Sequence, residues 1–272
     1  MRPRTVTRLL GRTLREDARA AAAAAGLYDH PVPTEPVTDA DLAPLPEPAR
    51  RWLRWAGVVG RPRDERFEAR LQGRFRRGPD DPWMSCDAWQ VDSLHPVGRV
   101  FEMRLDVAHV IPMVGEDTYL DGHGRMHGRL LGLVTVADGE GEPFDIGELS
   151  TWVDDVCLLA PSMLLDDRVA WAEVDGHSFA VTVDDGGHPV TVTVEVDAAG
   201  ALLDVATTDR FLDGPDGPVR TRWTTPVDDW ITTADGRRLP TRCRARWHPA
   251  GGEFTYVDGT FDSVTWNPPP PG

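Results

Sequence analysis

From residue 66 to residue 265 apolar and polar side chains alternate through many short segments, with turn-forming residues between them. A period of two puts successive side chains on opposite faces, so each segment predicts a β-strand with one buried face. In the first run Ala69, Leu71, Gly73 and Phe75 alternate with Arg70, Gln72, Arg74 and Arg76. Further strands are predicted over 83–92, 99–108, 125–136, 168–174, 177–184, 189–197, 201–211, 219–225, 227–233, 238–248 and 253–265. The pair Asp121-Gly122 supplies the positive φ angles of a tight turn, and Asp175-Gly176 and Asp235-Gly236 mark further turns. Such short connections make sequential strands antiparallel neighbours. Gly128 and Gly132 inside the 125–136 run predict a bend or bulge.

Three segments follow a helical period instead. Over 5–27, Val6, Leu9, Leu10, Leu14, Ala18, Ala21 and Ala25 fall near one face, and Gly26 is a plausible stop. Over 46–57, Pro46 and Pro48 suit a first turn, Gly57 suits the position after the last, and Ala49, Trp52, Leu53 and Ala56 form a stripe. The third, 146–165, carries Ile146, Leu149, Val153, Val156, Cys157 and Ala160, with Asp145 and Glu148 spaced as a capping box and Pro161 as a stop or kink. About a dozen strands with so few helices do not make a flat sheet. The expected fold is mainly β (α+β): a large curved antiparallel sheet or half-barrel wrapped around a central helix. The expected organisation is a basic amphipathic helix and Pro-rich linker over 1–38, one half-barrel domain over 39–267, and a Pro-rich tail over 268–272.

Composition narrows the partners. The 272 residues carry a net charge of -15, and all 29 basic residues are arginine. Such a field repels phosphate backbones, so nucleic acid is not expected as a partner. No apolar stretch is long enough to predict a transmembrane segment. Residues 1–27 lack the layout of a secretory signal, because arginine is spread through them rather than placed before an apolar run. Cys86, Cys157 and Cys243 are odd in number and form no CxxC, which predicts free thiols and a reducing, cytoplasmic compartment. The 5–27 helix carries local positive charge, so it offers peripheral contact with anionic lipid. The competing expectation is that it docks on the body of the protein.

The segments 45–57, Gly73-Arg74-Phe75-Arg76, Asp121-Gly122 followed by 124–132, Gly147-Glu148-Leu149 and Leu239-Pro240-Thr241-Arg242 resemble an uncharacterised bacterial domain-of-unknown-function family, numbered six-five-four-four. The resemblance spans about residues 40–265. It implies the family's central helix but names no chemistry. In the family that helix typically runs into an aromatic-Pro turn. Here the turn reads Leu159-Ala160-Pro161-Ser162, so the aromatic and any role it has are missing. The architecture is also similar to lipoprotein-carrier half-barrels, a fold-level analogy that carries function only weakly.

No phosphate loop, nucleophile elbow or HExxH is present. Asp121, His123 and His127, with Asp117, are close enough in sequence to attract a metal reading, but their spacing matches no metal signature; no metal and no cofactor are expected. The adjacent acids Asp154-Asp155, Asp166-Asp167, Asp184-Asp185 and Asp228-Asp229 read as turn and cap residues, because neighbours on one element point apart. Arg220, Arg222, Arg242, Arg244 and Arg246 predict an arginine row on one sheet face, either receiving an acidic head group or pairing with acids across strands. Ten tryptophans are the remaining resource. Trp89, Phe101, Met103, Trp152, Met163, Trp223 and Trp247 are the candidate ligand-contacting side chains of a concave, apolar interior. The functional expectation is a non-enzymatic binder of an apolar or acyl-type small molecule or lipid. The alternatives are an enzyme with polar residues, among them His127 or Glu148, converging in the same cavity, and an interaction protein using its N-terminal helix.

Overall fold

A computed structural model describes residues 15–107, 111–131 and 133–272. The part of the predicted N-terminal helix before residue 15, and Gly132, lie outside the described residues. The described residues open in helix α1 (15–24) and continue through a short α2 (Asp39–Leu42) and α3 (Glu47–Trp55). A meander follows: β1 (Arg66–Phe75), β2 (Met84–Ser93), β3 (Gly98–Val107), β4 (Ile111–Leu120), β5 (His123–Leu130) and β6 (Val134–Glu140). Helix α4 (Glu142–Leu159) and a 3-10 turn (Pro161–Leu164) interrupt the strands. The second half contains β7 (Val169–Asp175), β8 (Ser178–Asp185), β9 (His188–Val196), β10 (Leu202–Thr207), β11 (Phe211–Gly214), β12 (Gly217–Arg220), β13 (Trp223–Thr224), β14 (Trp230–Thr232), β15 (Arg238–Pro240), β16 (Cys243–Trp247) and β17 (Phe254–Trp266).

Thirteen of these strands form one antiparallel sheet, ordered β6-β5-β4-β3-β2-β1-β17-β16-β13-β10-β9-β8-β7. The first and last thirds of the chain therefore meet at the β1–β17 pair, where Phe67 lies opposite Trp266 and Phe75 opposite Val257. Helix α4 touches β3 to β6 on one side of this order and β9 and β10 on the other. A single helix reaches both flanks only if the sheet curls around it, so the architecture is a half-barrel on α4. Register shifts at Arg70/Leu71, Gly128/Arg129, Leu202/Asp204 and Ala245/Arg246 supply the bending, since each extra residue kinks its strand and increases twist.

Several local details depart from the sequence expectations. The 125–136 run is two strands, because Leu131 takes φ +55° and turns the chain back. Strand β4 was not read as a separate strand; Pro112 and Gly115 break its alternation. The stretches 201–211 and 219–233 are divided, and the ribbons β11–β12 and β14–β15 stand apart from the main sheet. Helix α4 starts at Glu142, one turn before the predicted cap. Its entry is Gly141 at φ +98° with Pro143 in the first turn. Asp145 caps something else: its Oδ1 accepts the Gly124 N–H at 2.7 Å, tying α4 to β5.

The two faces of the sheet bury different things. On the concave side the largest core cluster joins α3, α4 and β8 to β10, with Trp52, Trp152, Phe179 and Leu149 fully buried. Side chains of this size contribute about 1.5–3 kcal/mol each on burial. On the convex side Ala18, Ala22, Leu27 and Tyr28 pack against Trp89, Val91 and Val100. The small alanines let α1 lie close, and Arg19 pairs with Glu68 at 2.9 Å. The described part of the N-terminal helix thus spends its apolar face on the sheet rather than presenting it to lipid. Among the described residues no helix is long and apolar enough to cross a membrane.

Gly124 sets how closely β5 approaches α4. A Cβ there would sit 2.1 Å from the Phe144 carbonyl oxygen and 2.8 Å from the Asp145 nitrogen, both backbone atoms. Gly124→Ala is expected to lower stability by about 2 kcal/mol or more, read as a reduced urea midpoint at unchanged slope.

Candidate functional site

Parity along β1 to β4 decides what faces α4. Gln90 pairs with Phe101, Ala88 with Met103 and Asp92 with Arg99 across β2–β3. Phe101 in turn lies opposite Asp117 on β4, and Ala88 opposite Leu71 on β1. Antiparallel partners share a face, so one continuous row of apolar and acidic side chains runs across the concave surface. On the far side of β17 the same face carries Val257 opposite Ala245 and Gly259 opposite Cys243.

These rows and α4 enclose a cavity of about 120 Å³. Its wall is Leu71, Phe75, Phe101, Met103, Trp223, Cys243, Ala245, Tyr256, Val257 and Phe261. Its opposite end is polar: Gln90, Arg99, Asp117, Glu148, Thr151, Asp154, Asp155, Arg210 and Thr225. Four carboxyls and two guanidinium groups therefore line one half-open cavity.

Arg99 organises the polar end. Its Nη1 donates to Glu148 Oε2 at 2.9 Å and its Nε to Asp155 Oδ2 at 2.9 Å. The guanidinium also lies 4.7 Å from the Phe101 ring centroid. Arg210 sits over Trp223 at 4.4 Å and Trp247 at 5.6 Å, and its Nε has no hydrogen-bond partner among the described residues. Asp154 accepts from the Thr225 hydroxyl.

The remaining carboxyls are held toward their neutral forms. Burial, then the neighbouring Glu148 charge, pushes Asp117 up to about 7. Burial also raises Glu148, although Arg99 opposes it. Asp154 is raised well above the usual carboxylate range by burial and by Asp155, and Asp92 behind it likewise. The cavity is thus a reservoir of protonatable groups beneath an apolar wall. The Cys86 thiol beside it is pushed up to about 12 by burial, and the Cys243 thiol is raised for the same reason, so neither is an activated nucleophile.

The predicted contact residues are distributed over three places. Phe101, Met103 and Trp223 line the cavity, and Trp247 stands just behind Trp223. Trp89 faces the convex side beneath α1, because it follows Ala88 and precedes Gln90 on β2. Trp152 is fully buried on the other side of α4, with its Nε1 donating to the Ser93 carbonyl at 3.0 Å, and Met163 is core on the 3-10 turn. The hairpin metal reading disperses: Asp117 faces the cavity, His123 is 81% exposed, and His127 meets the Thr135 hydroxyl at 3.3 Å. Asp154 and Asp155 are not cap residues. Both reach the cavity from mid-helix because the curled sheet surrounds α4 over a wide arc. The late-strand arginines pair with acids: Arg242 with Asp258, Arg244 with Asp228, Arg246 with Glu253 and Arg220 with Asp209. Arg99 and Arg210 were missed; the only signal for Arg99 was a cation at a position of β3 whose neighbours at every second residue are apolar.

A family model, described as one of a family of unknown function, matches residues 35–259. No curated protein matches the chain. Among solved structures, a domain from Vibrio parahaemolyticus named for outer-membrane lipoprotein sorting is 11% identical with a TM-score of 0.41, over 81% of this chain and 89% of that one. A DUF1329 family protein from Desulfovibrio piger is 15% identical with a TM-score of 0.43, over 80% of this chain and 91% of that one.

Two outcomes follow from the charge arrangement. Arg99→Ala leaves Glu148 and Asp155 buried without their cation, and is expected to cost about 3–5 kcal/mol in a urea denaturation series. Asp117 ordinarily ionises near 3.8 but in the folded protein holds its proton up to about 7. Between those values the folded state binds more protons than the unfolded chain, so stability falls as pH rises through this window. Asp117→Asn removes that slope: melting curves are expected to coincide with wild type near pH 4 and to lie higher above pH 7.

Proposed function

The chain belongs to the DUF6544 family of unknown function, and from that premise we propose that it is a binding module for a compact small molecule with an apolar body and a hydrogen-bond-donating or cationic end. The observation that carries this reading is one cavity holding both an aromatic and aliphatic wall and a surplus of carboxyls over guanidinium groups. An apolar body replaces water against Phe101, Met103 and Trp223, where burial is favourable at about 25 cal/mol per Å². A donor-rich head group finds acceptors in Asp117 and Asp154, and once Asp117 ionises, above about 7, a cationic head group gains a charge partner where a carboxylate head group meets like charge.

Size selects among ligands. An apolar cavity of about 150 Å³ accommodates benzene, so a half-open space of about 120 Å³ takes a short chain, or a ring that lies partly in its mouth. A long acyl chain needs the sheet and α4 to part. The proposed setting is the cytoplasm, which the three free cysteines support. A second reading, an enzyme, draws on Asp117: a carboxyl pushed up to about 7 is matched to proton transfer near neutral pH. It requires the bound molecule to be converted, which the same samples report.

Ligand-observed NMR of the full chain with benzylamine, benzyl alcohol and benzoate tests the proposal. Saturable binding of the amine and the alcohol, with benzoate weakest, is expected. Amine binding is expected to tighten as pH rises through 7, because ionised Asp117 adds a negative charge to the cavity. Met103→Trp, folded by circular dichroism, is expected to abolish binding by filling the space. Absence of saturable binding by all three probes removes the proposal.

A further inference from the structure

Outside the cavity, at the strand ends where the connector before α2 meets the start of β1, three side chains far apart in sequence converge. Glu65 Oε1 lies 2.8 Å from His95 Nδ1 and 3.2 Å from His30 Nδ1. The three ligand-type atoms all lie within 4.8 Å of one another, and the two imidazole rings stack with centroids 4.5 Å apart. We propose that His30, Glu65 and His95 form a binding site for a divalent transition-metal ion of the zinc class.

Glu65 makes the argument. Its side chain is 0% exposed, and its second oxygen, Oε2, has no hydrogen-bond partner among the described residues. A wholly buried carboxylate with an orphaned oxygen is costly unless a cation meets it. His95 sharpens the point. Its Nδ1 lies 2.8 Å from Glu65 Oε1 and its Nε2 3.3 Å from Asp166 Oδ2, so the ring stands between two carboxylates. With its proton on Nε2, toward Asp166, the ring would turn the Nδ1 lone pair to the Glu65 oxygen, the arrangement a cation between them takes up. A proton serves one imidazole; a metal ion serves Glu65, His95 and His30 together.

The chemistry of the donors fits. Two imidazoles and one carboxylate are a zinc donor set, with bonds of about 2.0–2.2 Å and ligand atoms about 3.3 Å apart in a tetrahedron. The Asp166–His95 contact supplies the outer carboxylate that orients a metal-bound imidazole. The ligand-bearing backbone is held in advance: Arg66 Nη1 donates to the His30 carbonyl at 2.8 Å, the Glu65 N–H to Asn267 Oδ1 at 2.8 Å, and the Leu94 N–H to the Glu65 carbonyl at 2.9 Å. His30 and His95 are 45% and 30% exposed, which leaves the fourth position open to solvent or to an exogenous ligand. Glu65 and His95 lie within the family span, whereas His30 precedes it. The complete set therefore depends on the N-terminal connector of this chain.

The test uses the full chain, stripped of metal by a chelator, and titrated with Co²⁺ and with Zn²⁺. One equivalent of Co²⁺ is expected to give the visible ligand-field absorption of a low-coordinate site, and Zn²⁺ to displace it and raise the melting temperature. His30→Ala, Glu65→Gln and His95→Ala are each expected to weaken Zn²⁺ binding at least tenfold, and Asp166→Asn by about 10–100-fold. His127→Ala, on a half-buried side chain of β5 outside the cluster, is expected to bind as wild type does. His30→Ala changes a half-exposed residue, so its folding, checked by circular dichroism, separates lost ligation from lost structure. Wild-type protein without a one-equivalent Co²⁺ spectrum, or a folded His30→Ala that binds Zn²⁺ unchanged, overturns the site.

Discussion

A buried guanidinium holds this fold together at its centre. Arg99 stands on β3 in the concave face of the sheet and meets Glu148 and Asp155, both on α4. Bringing these charges out of water costs several kcal/mol per ion, and only near-ideal geometry returns it. The sheet must therefore curl to the one distance at which both bonds are 2.9 Å. Position and curvature of α4 against β3 to β6 follow from that requirement, and the Asp145 bond to the Gly124 N–H repeats it at the helix entrance.

The same constraint explains why the interior is not filled. An apolar core is built between α4, α3 and β8 to β10 from Trp52, Leu53, Trp152, Leu149, Phe179 and the buried valines of β8 and β9. On the other flank, Arg99 and its acids occupy the helix face, and large apolar residues cannot close over them without stripping their partners. The aromatic side chains of β3 and β13 meet the guanidinium groups of Arg99 and Arg210 but do not cover the carboxyls, and the cavity lies among them. Chemistry and space therefore coincide for one reason: the polar cluster keeps the helix and sheet apart where they are not packed by hydrocarbon.

Raised carboxyl pKa values are the consequence with functional weight. Asp117, Glu148 and Asp154 are destabilised as anions by burial and then by a neighbouring acid, Glu148 for Asp117 and Asp155 for Glu148 and Asp154. A fold optimised only for stability would replace them with apolar residues of similar volume. Their presence in a cavity is the pattern expected of a site that exchanges protons or cations with a guest. The convex side carries a separate polar centre, with Glu68 accepting from Arg19 and Tyr28 and so fastening α1.

Periodicity by itself determined the strand-rich fold, the antiparallel pairing of sequential strands and the central helix, because side-chain parity and turn chemistry are local properties read from neighbours, whereas the β1–β17 pair joins segments far apart in the chain. It also placed Phe101 and Met103 on one face of β3 correctly relative to each other. What only tertiary structure decided is which face looks inward. Trp89 alternates as regularly as Phe101, yet α1 covers it on the convex side, and nothing local distinguishes the two. Asp154 and Asp155 point apart on their helix, as neighbours must, but a sheet bent around that helix meets both. Arg99 with Glu148, and His30 with Glu65 and His95, come together from distant segments, and sequence separation carries no information about such meetings. Local periodicity records the direction of each side chain from its own backbone; the cavity arises from how far the whole sheet bends.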